Sequence, residues 1–266
     1  LRPYPAYEAI GIRNPGGEYN QLSTSLLQIE NEFYGTIRPK RVIRSGERPL
    51  HALRERGVEY IEVRCMDLDP FEPVGINAQT MRFIDVFLLH CLLADSPNDT
   101  PDEIAALARN QHHTAARGRE PGLRLERGGQ EVTLVEWGAE LMAAFGPIAA
   151  ELDAAYGSSD YSAALAAAQA GLDDASALPS AQVLAAMAAE HENSFVRFVR
   201  QQSLQTREAL LELPFSDTQQ AEFEAQSAQS VQDQRAIEAA DTLPFEQYRE
   251  QYVSPRRLGI PQTGTV

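Results

Sequence analysis

The chain has 266 residues, of which 43% are hydrophobic and 8% aromatic, a composition typical of a globular protein with one large domain or two small ones. Its formal net charge of −15 argues against nucleic acid or an anionic membrane as the main partner. No uncharged apolar run reaches the roughly 18 residues that predict a transmembrane helix, and the first residues do not resemble a signal peptide.

The first predicted elements are two strands, joined by a basic segment and a short helix. The segments Leu26 to Tyr34 and Glu59 to Met66 have an extended pattern, and a short helix is expected from Pro49 to Arg56. The densest group of basic residues lies between the two strands and consists of Arg38, Lys40, Arg41, Arg44 and Arg48. An anion would bind near this group, although a solvated run of charges gives the same pattern.

From residue 76 onwards the pattern is helical. Asn77 is a candidate N-cap. The apolar face of the helix that follows is expected to comprise Met81, Ile84, Phe87, Leu88, Cys91 and Leu92. The strings Thr100-Pro-Asp-Glu103 and Thr133-Leu-Val-Glu136 have the spacing of capping boxes. One long helix is predicted from Ser180 towards Leu213, and a polar helix from Asp217 to about Ala240.

These elements predict an α+β fold. We expect residues 1–75 to form the sheet portion of the core, residues 76–254 to form a helical region packed on it, and residues 255–266 to be a disordered tail. Two strands are too few for a stable sheet, so strands from elsewhere are expected to complete it. Cys65 and Cys91 lie in apolar stretches, and we expect both to be reduced core residues of a cytoplasmic protein.

The second predicted strand has one polar face. Because side chains alternate along a strand, one face of this strand carries Tyr60, Glu62 and Arg64. The other face carries Ile61 and the apolar residues that alternate with those three, and we expect it to face the core. The earlier strand repeats the pattern, with Gln28, Glu30, Glu32 and Tyr34 on its polar face.

Carboxylates grouped on such a face suit Mg²⁺, which prefers oxygen ligands and usually brings phosphate oxygens with it. Arg64 would then contact a transferred phosphoryl group through its two-pronged guanidinium. The alternative is that the face is simply solvated, as is common on one side of an antiparallel sheet.

Particular strings carry a family resemblance. They are Gln28-Ile-Glu-Asn-Glu-Phe-Tyr34, Ile37-Arg-Pro-Lys-Arg41, Arg44-Ser-Gly-Glu47, Gly57-Val-Glu-Tyr-Ile-Glu-Val-Arg64 and Asp67-Leu-Asp-Pro-Phe71. In order and spacing they resemble the proteobacterial type of glutamate–cysteine ligase, specifically its C-terminal half. The resemblance continues to about residue 123, is loose between about residues 149 and 230, and returns at Glu238 to Phe245.

The resemblance implies a mostly antiparallel, funnel-like sheet related to that of glutamine synthetase. It implies that ATP activates the γ-carboxyl of glutamate as a γ-glutamyl phosphate, which the amine of cysteine attacks, with Mg²⁺ (or Mn²⁺) bound by glutamates. By position, Glu62 resembles a metal ligand, Arg64 the catalytic arginine at the phosphoryl group, and Tyr34 a residue of the cysteine pocket. A looser expectation places the nucleotide near Arg38, Lys40 and Arg41.

The family's members are much longer than this chain, and their N-terminal half supplies most metal ligands. We therefore expect a fragment that is inactive without that half, and a cytoplasmic monomer when full length. Two rival hypotheses stay open: another ATP-dependent carboxylate–amine ligase with a different acceptor, or a non-catalytic acidic helical interaction module.

Overall fold

The computed structural model describes residues 3–29, 35–44 and 46–254. This part of the chain is mostly helical, with two small antiparallel sheets. The predicted combination of helices with antiparallel strands is therefore confirmed at this level. Among the described residues, no helix is both long and apolar enough to cross a lipid bilayer.

The elements follow one another in this order: α1 (Pro5–Ile10), β1 (Ile37–Lys40), α2 (Pro49–Arg56), β2 (Tyr60–Val63), α3 (Ala78–Leu93), α4 (Pro101–Arg117), β3 (Arg124–Arg127), β4 (Gln130–Thr133), α5 (Leu134–Tyr156), α6 (Asp160–Asp173), α7 (Pro179–Glu190), α8 (Phe195–Leu211), α9 (Asp217–Ala240) and α10 (Phe245–Val253). They form two compact units. The first unit runs to Asp67 and resumes at Phe215, and the second unit is Leu68–Pro214. The predicted division at residue 75 stays a prediction.

The sheet of the first unit pairs β1 with β2 in antiparallel register. Arg38 lies opposite Glu62, and Lys40 lies opposite Tyr60. The strand predicted from Glu59 to Met66 is thus confirmed over its central residues, and its partner in the described sheet is β1, a strand that the sequence pattern did not predict. Residues 26–29 of the other predicted strand form bends, and residues 30–34 lie outside the described part of the chain.

Helix α10 is bound to the beginning of the first unit by charged side chains. Arg249 donates a hydrogen bond to the carbonyl of Leu22 at 2.6 Å, and Arg13 donates to the Glu246 carboxylate at 2.8 Å. Hydrogen bonds from Arg249, Tyr19 and Arg13 hold the pKa of Glu246 well below its usual range. The carboxylate therefore stays ionised at neutral pH and keeps these contacts.

Arg48, which the sequence groups with the basic cluster, is buried and structural. Its side chain is 2% exposed, it donates to the carbonyl of Tyr252 at 2.8 Å, and its guanidinium lies over the Tyr252 ring. The contact joins the start of α2 to the end of α10, so Arg48 is removed from the group of residues that an anion could reach.

The core of the second unit lies where α3, α5 and α6 pack together. Its buried centre is Val86, Phe145 and Ala149, and the rings of Phe83 and Phe87 meet Phe145 edge to face. The predicted apolar face of α3 is therefore partly wrong, because its predicted members at both ends of the helix are exposed. Helix α3 has apolar residues on more than one side, and packing against α5 and α6 selects the side that is buried.

Both cysteines are free and exposed, so the prediction that they are core residues is wrong. Cys65 follows β2 on the face opposite Glu62, where neighbouring Ile61 is also exposed. Cys91 lies on the outer side of α3. Apolar neighbours in sequence do not bury a residue when its face of the element has nothing packed against it.

Helices α7 and α8 replace the single long helix predicted from Ser180. The break falls at Glu192 and Asn193, whose φ angles of 51° and 57° are incompatible with continuing a right-handed helix. Ser194 then caps α8 by accepting a hydrogen bond from the backbone N–H of Arg197. Neither proline nor glycine marks this break; its local signals are Asn193, a residue type tolerated at positive φ, and the N-cap Ser194.

A hairpin that the sequence analysis did not predict precedes α5. Strands β3 and β4 pair through a two-residue turn at Gly128 and Gly129, and glycine adopts their positive φ angles of 57° and 76° without steric cost. Strand β4 ends at Thr133, the first residue of the Thr133–Glu136 capping box, which is present as predicted: Thr133 accepts from the Glu136 N–H, and the Glu136 carboxylate accepts in return.

We expect Thr133→Ala to lower the free energy of unfolding by about 1 kcal/mol, because the N–H of Glu136 loses its acceptor. Thr133→Ser keeps the hydroxyl and serves as the matched control. Urea denaturation followed by far-UV circular dichroism measures both variants. Equal loss of stability in the serine variant would show that the cap is not the cause.

Candidate active site

The exposed polar face of the β1–β2 sheet collects most of the predicted site residues. Arg38 and Lys40 alternate along β1, and Tyr60 and Glu62 alternate along β2, so the four share one face. The backbone N–H of Arg64 bonds to the carbonyl of Thr36 at 2.7 Å and extends the pairing beyond Val63. This extension keeps Arg64 on the face of Glu62.

Glu62 is the centre of this face. Arg64 Nε lies 3.0 Å from Glu62 Oε2, and Lys40 Nζ lies 3.5 Å from the same oxygen. Arg38 is directly opposite Glu62 in the strand register. The prediction that Glu62 and Arg64 project together from one face is borne out by these distances.

The contacts at Glu62 are ion pairs rather than well-aligned hydrogen bonds. Oε2 is shielded from solvent and accepts no properly directed hydrogen bond within the described part of the chain, although two cations lie close to it. The Arg64 guanidinium, and less strongly Lys40, hold the pKa of Glu62 below its usual range against the opposing effect of partial burial. Glu62 is therefore an anion at neutral pH, with one oxygen still able to accept a ligand.

The face as a whole carries an excess of positive charge. Lys40 and Arg64 contact the single carboxylate, and Arg38 lies opposite it in the strand register. Lys40, Glu62 and Arg64 are each about one third exposed, at 32%, 33% and 32%. A local positive excess in an acidic chain is suited to bind a multiply charged anion such as a polyphosphate.

The opposite face of the same sheet was predicted to be dry and is not. Ile37 and Ile61, which alternate with the polar residues, are 43% and 49% exposed. The described part of the chain therefore covers them only in part, and a two-stranded sheet alone is only marginally stable.

Arg41 differs from the other basic residues assigned to the nucleotide. It follows the end of β1, forms an ion pair with Glu59 at 3.4 Å, and donates to the carbonyl of Arg56 at 2.9 Å. The structure therefore brings Arg38 and Lys40 together with Glu62 but directs Arg41 towards the end of α2. Tyr34, with Glu30 and Glu32, lies outside the described residues.

The pairing of β1 with β2, which brings Arg38 and Lys40 to Glu62, is not predicted from the sequence. Residues Ile37 to Lys40 alternate apolar and polar side chains, which is a strand signal, but Pro39 cannot donate to a sheet ladder and so weakens it. Pro39 is tolerated because, in the described sheet, β1 is paired on one side only.

The donor set fits a hard divalent cation in part. Glu62 Oε2 is a shielded carboxylate oxygen without an aligned donor, which is what a magnesium ligand requires. Within the described ranges, Glu62 belongs to no group of three metal-binding side chains. Mg²⁺ commonly uses one or two carboxylates together with substrate phosphates, so a single carboxylate here is compatible with such an ion.

Comparison with known proteins identifies relatives of one kind. Residues 1–114 match the family model described as glutamate–cysteine ligase. The chain is 45% identical over 250 residues to the glutamate–cysteine ligase of Azotobacter vinelandii, covering 94% of this chain and 47% of the relative. It is 47% identical over 249 residues to that of Janthinobacterium sp., with the same coverage of 94% and 47%.

A solved structure is similar over the same length. It is a crystal structure of glutamate–cysteine ligase from Francisella tularensis in complex with AMP, with a TM-score of 0.83 and 32% sequence identity. The match covers 94% of this chain and 49% of that one. The chain thus spans about half the length of the relatives it matches.

Proposed function

Since this chain is a member of the glutamate–cysteine ligase family, we propose that it forms part of the active site of an ATP-dependent ligase. The enzyme joins the γ-carboxyl of L-glutamate to the amine of L-cysteine. The γ-carboxylate takes the terminal phosphoryl group of ATP to give γ-glutamyl phosphate and ADP. The cysteine amine then displaces phosphate and forms the amide, the first step of glutathione biosynthesis.

The observation that carries the proposal is the grouping of Arg38, Lys40 and Arg64 around Glu62 on one face of the β1–β2 sheet. Phosphoryl transfer depends on positioning several charges about the transferred group, and this face supplies cations and one carboxylate in fixed register. If this face were simply solvated, there would be no reason for the Glu62 oxygen at its centre to be shielded from solvent.

In this proposal each residue has a separate role. Arg64 binds the transferred phosphoryl group through two N–H donors and stabilises the charge that develops there. Arg38 and Lys40 neutralise the phosphates of the nucleotide. Arg41 is less well placed to bind the nucleotide phosphates, because its guanidinium already binds Glu59 and the end of α2. Tyr34 is assigned to the cysteine pocket.

Glu62 would hold the divalent ion, Mg²⁺ or Mn²⁺, through the oxygen that Lys40 and Arg64 share. When bound, such an ion neutralises phosphate charge and fixes the orientation of the phosphate oxygens. Lys40 and Arg64 keep Glu62 ionised and oriented in the absence of the ion. With the ion bound, both cations would contact the phosphates instead of the carboxylate.

The proposal also includes the remainder of the enzyme. The β1–β2 sheet would belong to a larger, funnel-like antiparallel sheet whose other strands cover the exposed Ile37 and Ile61. Further metal ligands and pocket residues would come from outside this chain. We propose that the complete enzyme is a cytoplasmic monomer that binds small-molecule substrates.

The test of this function is Glu62→Gln in a full-length enzyme that carries this sequence. The amide has nearly the shape of the carboxylate but no charge, so the Mg²⁺ concentration for half-maximal turnover is expected to rise about 10- to 100-fold. Steady-state turnover of glutamate, cysteine and ATP, measured as ADP release over a range of Mg²⁺ concentrations, gives this value.

Glu126→Gln is the matched control. Glu126 also forms an ion pair with an arginine, Arg109, but on the β3–β4 hairpin. Its Mg²⁺ requirement should equal that of the wild type. An unchanged requirement in Glu62→Gln would remove Glu62 from the metal site. Faster turnover with another small amine than with cysteine would assign the enzyme to a different carboxylate–amine ligase.

A further inference from the structure

A second group of metal-binding side chains lies on α2 and the turn before it. Glu47, His51 and Glu55 each place one ligand atom within 4.8 Å of the others. His51 and Glu55 are one helical turn apart and therefore share a face of α2, with His51 Nε2 2.8 Å from Glu55 Oε1. Glu62 is not part of this group, so it is separate from the site proposed for the nucleotide-bound ion.

Glu47 is held in place before any ion binds. Its side chain is 9% exposed, and both oxygens accept from the Arg56 guanidinium, at 2.6 and 2.8 Å. The backbone N–H of Arg44 adds a third donor at 2.9 Å. A carboxylate has about four lone-pair positions, so these three donors of the described residues leave one for a cation.

The group offers both oxygen and nitrogen ligands to a cation. Its two carboxylates and the imidazole of His51 supply one ligand atom each. The charge of Glu47 is offset by Arg56 and by Arg44. Glu55 is 55% and His51 36% exposed on their side chains, which leaves a path for a hydrated ion to enter.

The ligand types select the class of metal. Zinc ligand distances of about 2.0–2.2 Å mean that two ligand atoms of one ion lie roughly 3–4 Å apart, so small rotamer changes suffice. Imidazole nitrogen suits zinc, cobalt and nickel, whereas magnesium prefers oxygen ligands alone. Two residues at i and i+4 on one helix face are a recurrent arrangement for zinc.

We propose that Glu47, His51 and Glu55 form an accessory site for a divalent transition metal of the zinc type. The ion binds His51 Nε2, which now lies 2.8 Å from Glu55, and the proton of that nitrogen is transferred to Nδ1, so the ring keeps one proton. Bound there, the ion links the turn before α2 to the last turn of the helix, and so stiffens the segment between β1 and β2. This site does not depend on the proposed ligase function.

The experiment is equilibrium dialysis of the chain against Zn²⁺ in the presence of excess Mg²⁺, with bound metal measured directly. We expect a single equivalent of zinc that Mg²⁺ does not displace. His51→Ala should weaken binding by more than about tenfold, because even the loss of an outer-shell partner typically costs 10- to 100-fold. Co²⁺ in place of zinc should give an absorption spectrum that changes in the same variant.

Glu55→Gln provides a second variant that preserves side-chain shape, so a folding defect in His51→Ala would not leave the question open. It should also weaken zinc binding by about tenfold or more. His112→Ala, at an exposed position of α4, is the control and should bind as the wild type does. Undiminished zinc binding by a correctly folded His51→Ala or Glu55→Gln, or displacement of zinc by Mg²⁺, would overturn the proposal.

Discussion

Replacing Arg64 by alanine in a full-length enzyme that carries this sequence is expected to lower kcat about 10²- to 10³-fold, the usual effect of removing one donor to developing charge. Arg64 is the cation closest to Glu62, and its guanidinium can form two parallel bonds to a phosphoryl group. The measurement is the rate of ADP release at saturating glutamate, cysteine and ATP.

The Arg64 variant also separates the rival hypotheses. A non-catalytic helical module predicts no change in function, whereas a ligase predicts a large fall in kcat with the fold retained. Arg109→Ala is the matched control, since Arg109 binds Glu126 at 2.6 Å in the second unit and should leave kcat unchanged. Near-normal turnover of Arg64→Ala would end the assignment of Arg64 to the phosphoryl group.

The largest expected effect on stability is that of Phe145→Ala, which should lower the free energy of unfolding by about 3–5 kcal/mol. Phe145 is 1% exposed, and its ring meets Phe83, Phe87 and His90. Removing the ring leaves a cavity where three helices meet, because the surrounding side chains can collapse only in part. Urea denaturation followed by far-UV circular dichroism measures the loss.

Leu93→Ala is the control for this stability measurement. Leu93 is on α3 but is 73% exposed, so its removal should change the free energy of unfolding by no more than about 0.5 kcal/mol. If Phe145→Ala had an equally small effect, the packing of α3, α5 and α6 around this ring would be contradicted.

Much of the candidate site follows from alternation along one strand. The sequence of β2 alone places Glu62 and Arg64 on a common face, and the structure puts them 3.0 Å apart. The pairing of Lys40 with Glu62 does not follow in the same way, because the two residues are far apart in sequence and meet only through strand register. Strand β1 is four residues long and contains Pro39, so its local pattern is a weak strand signal.

The helices show the same division between local and distant causes. The caps at Asn77, Thr100 and Thr133 are present as the sequence indicates, since each joins residues only three positions apart. The break between α7 and α8 carries weaker local signals, Asn193 and the N-cap Ser194, without the glycine or proline that commonly ends a helix. At the break, His191 is 4% exposed and packs against Phe198 of α8, so side chains from the two sides of the break contact each other.

The sequence by itself determined the helix starts, the polar face of β2 and the concentration of cations near it, because these depend on neighbours within a few residues. The tertiary structure decided which strand pairs with β2, which side of α3 is buried and which basic residues stay at the site. Arg48 shows the difference most directly, since it belongs to the basic cluster in sequence but is buried against α10. Such choices depend on contacts between distant residues, and the local pattern is compatible with more than one of them.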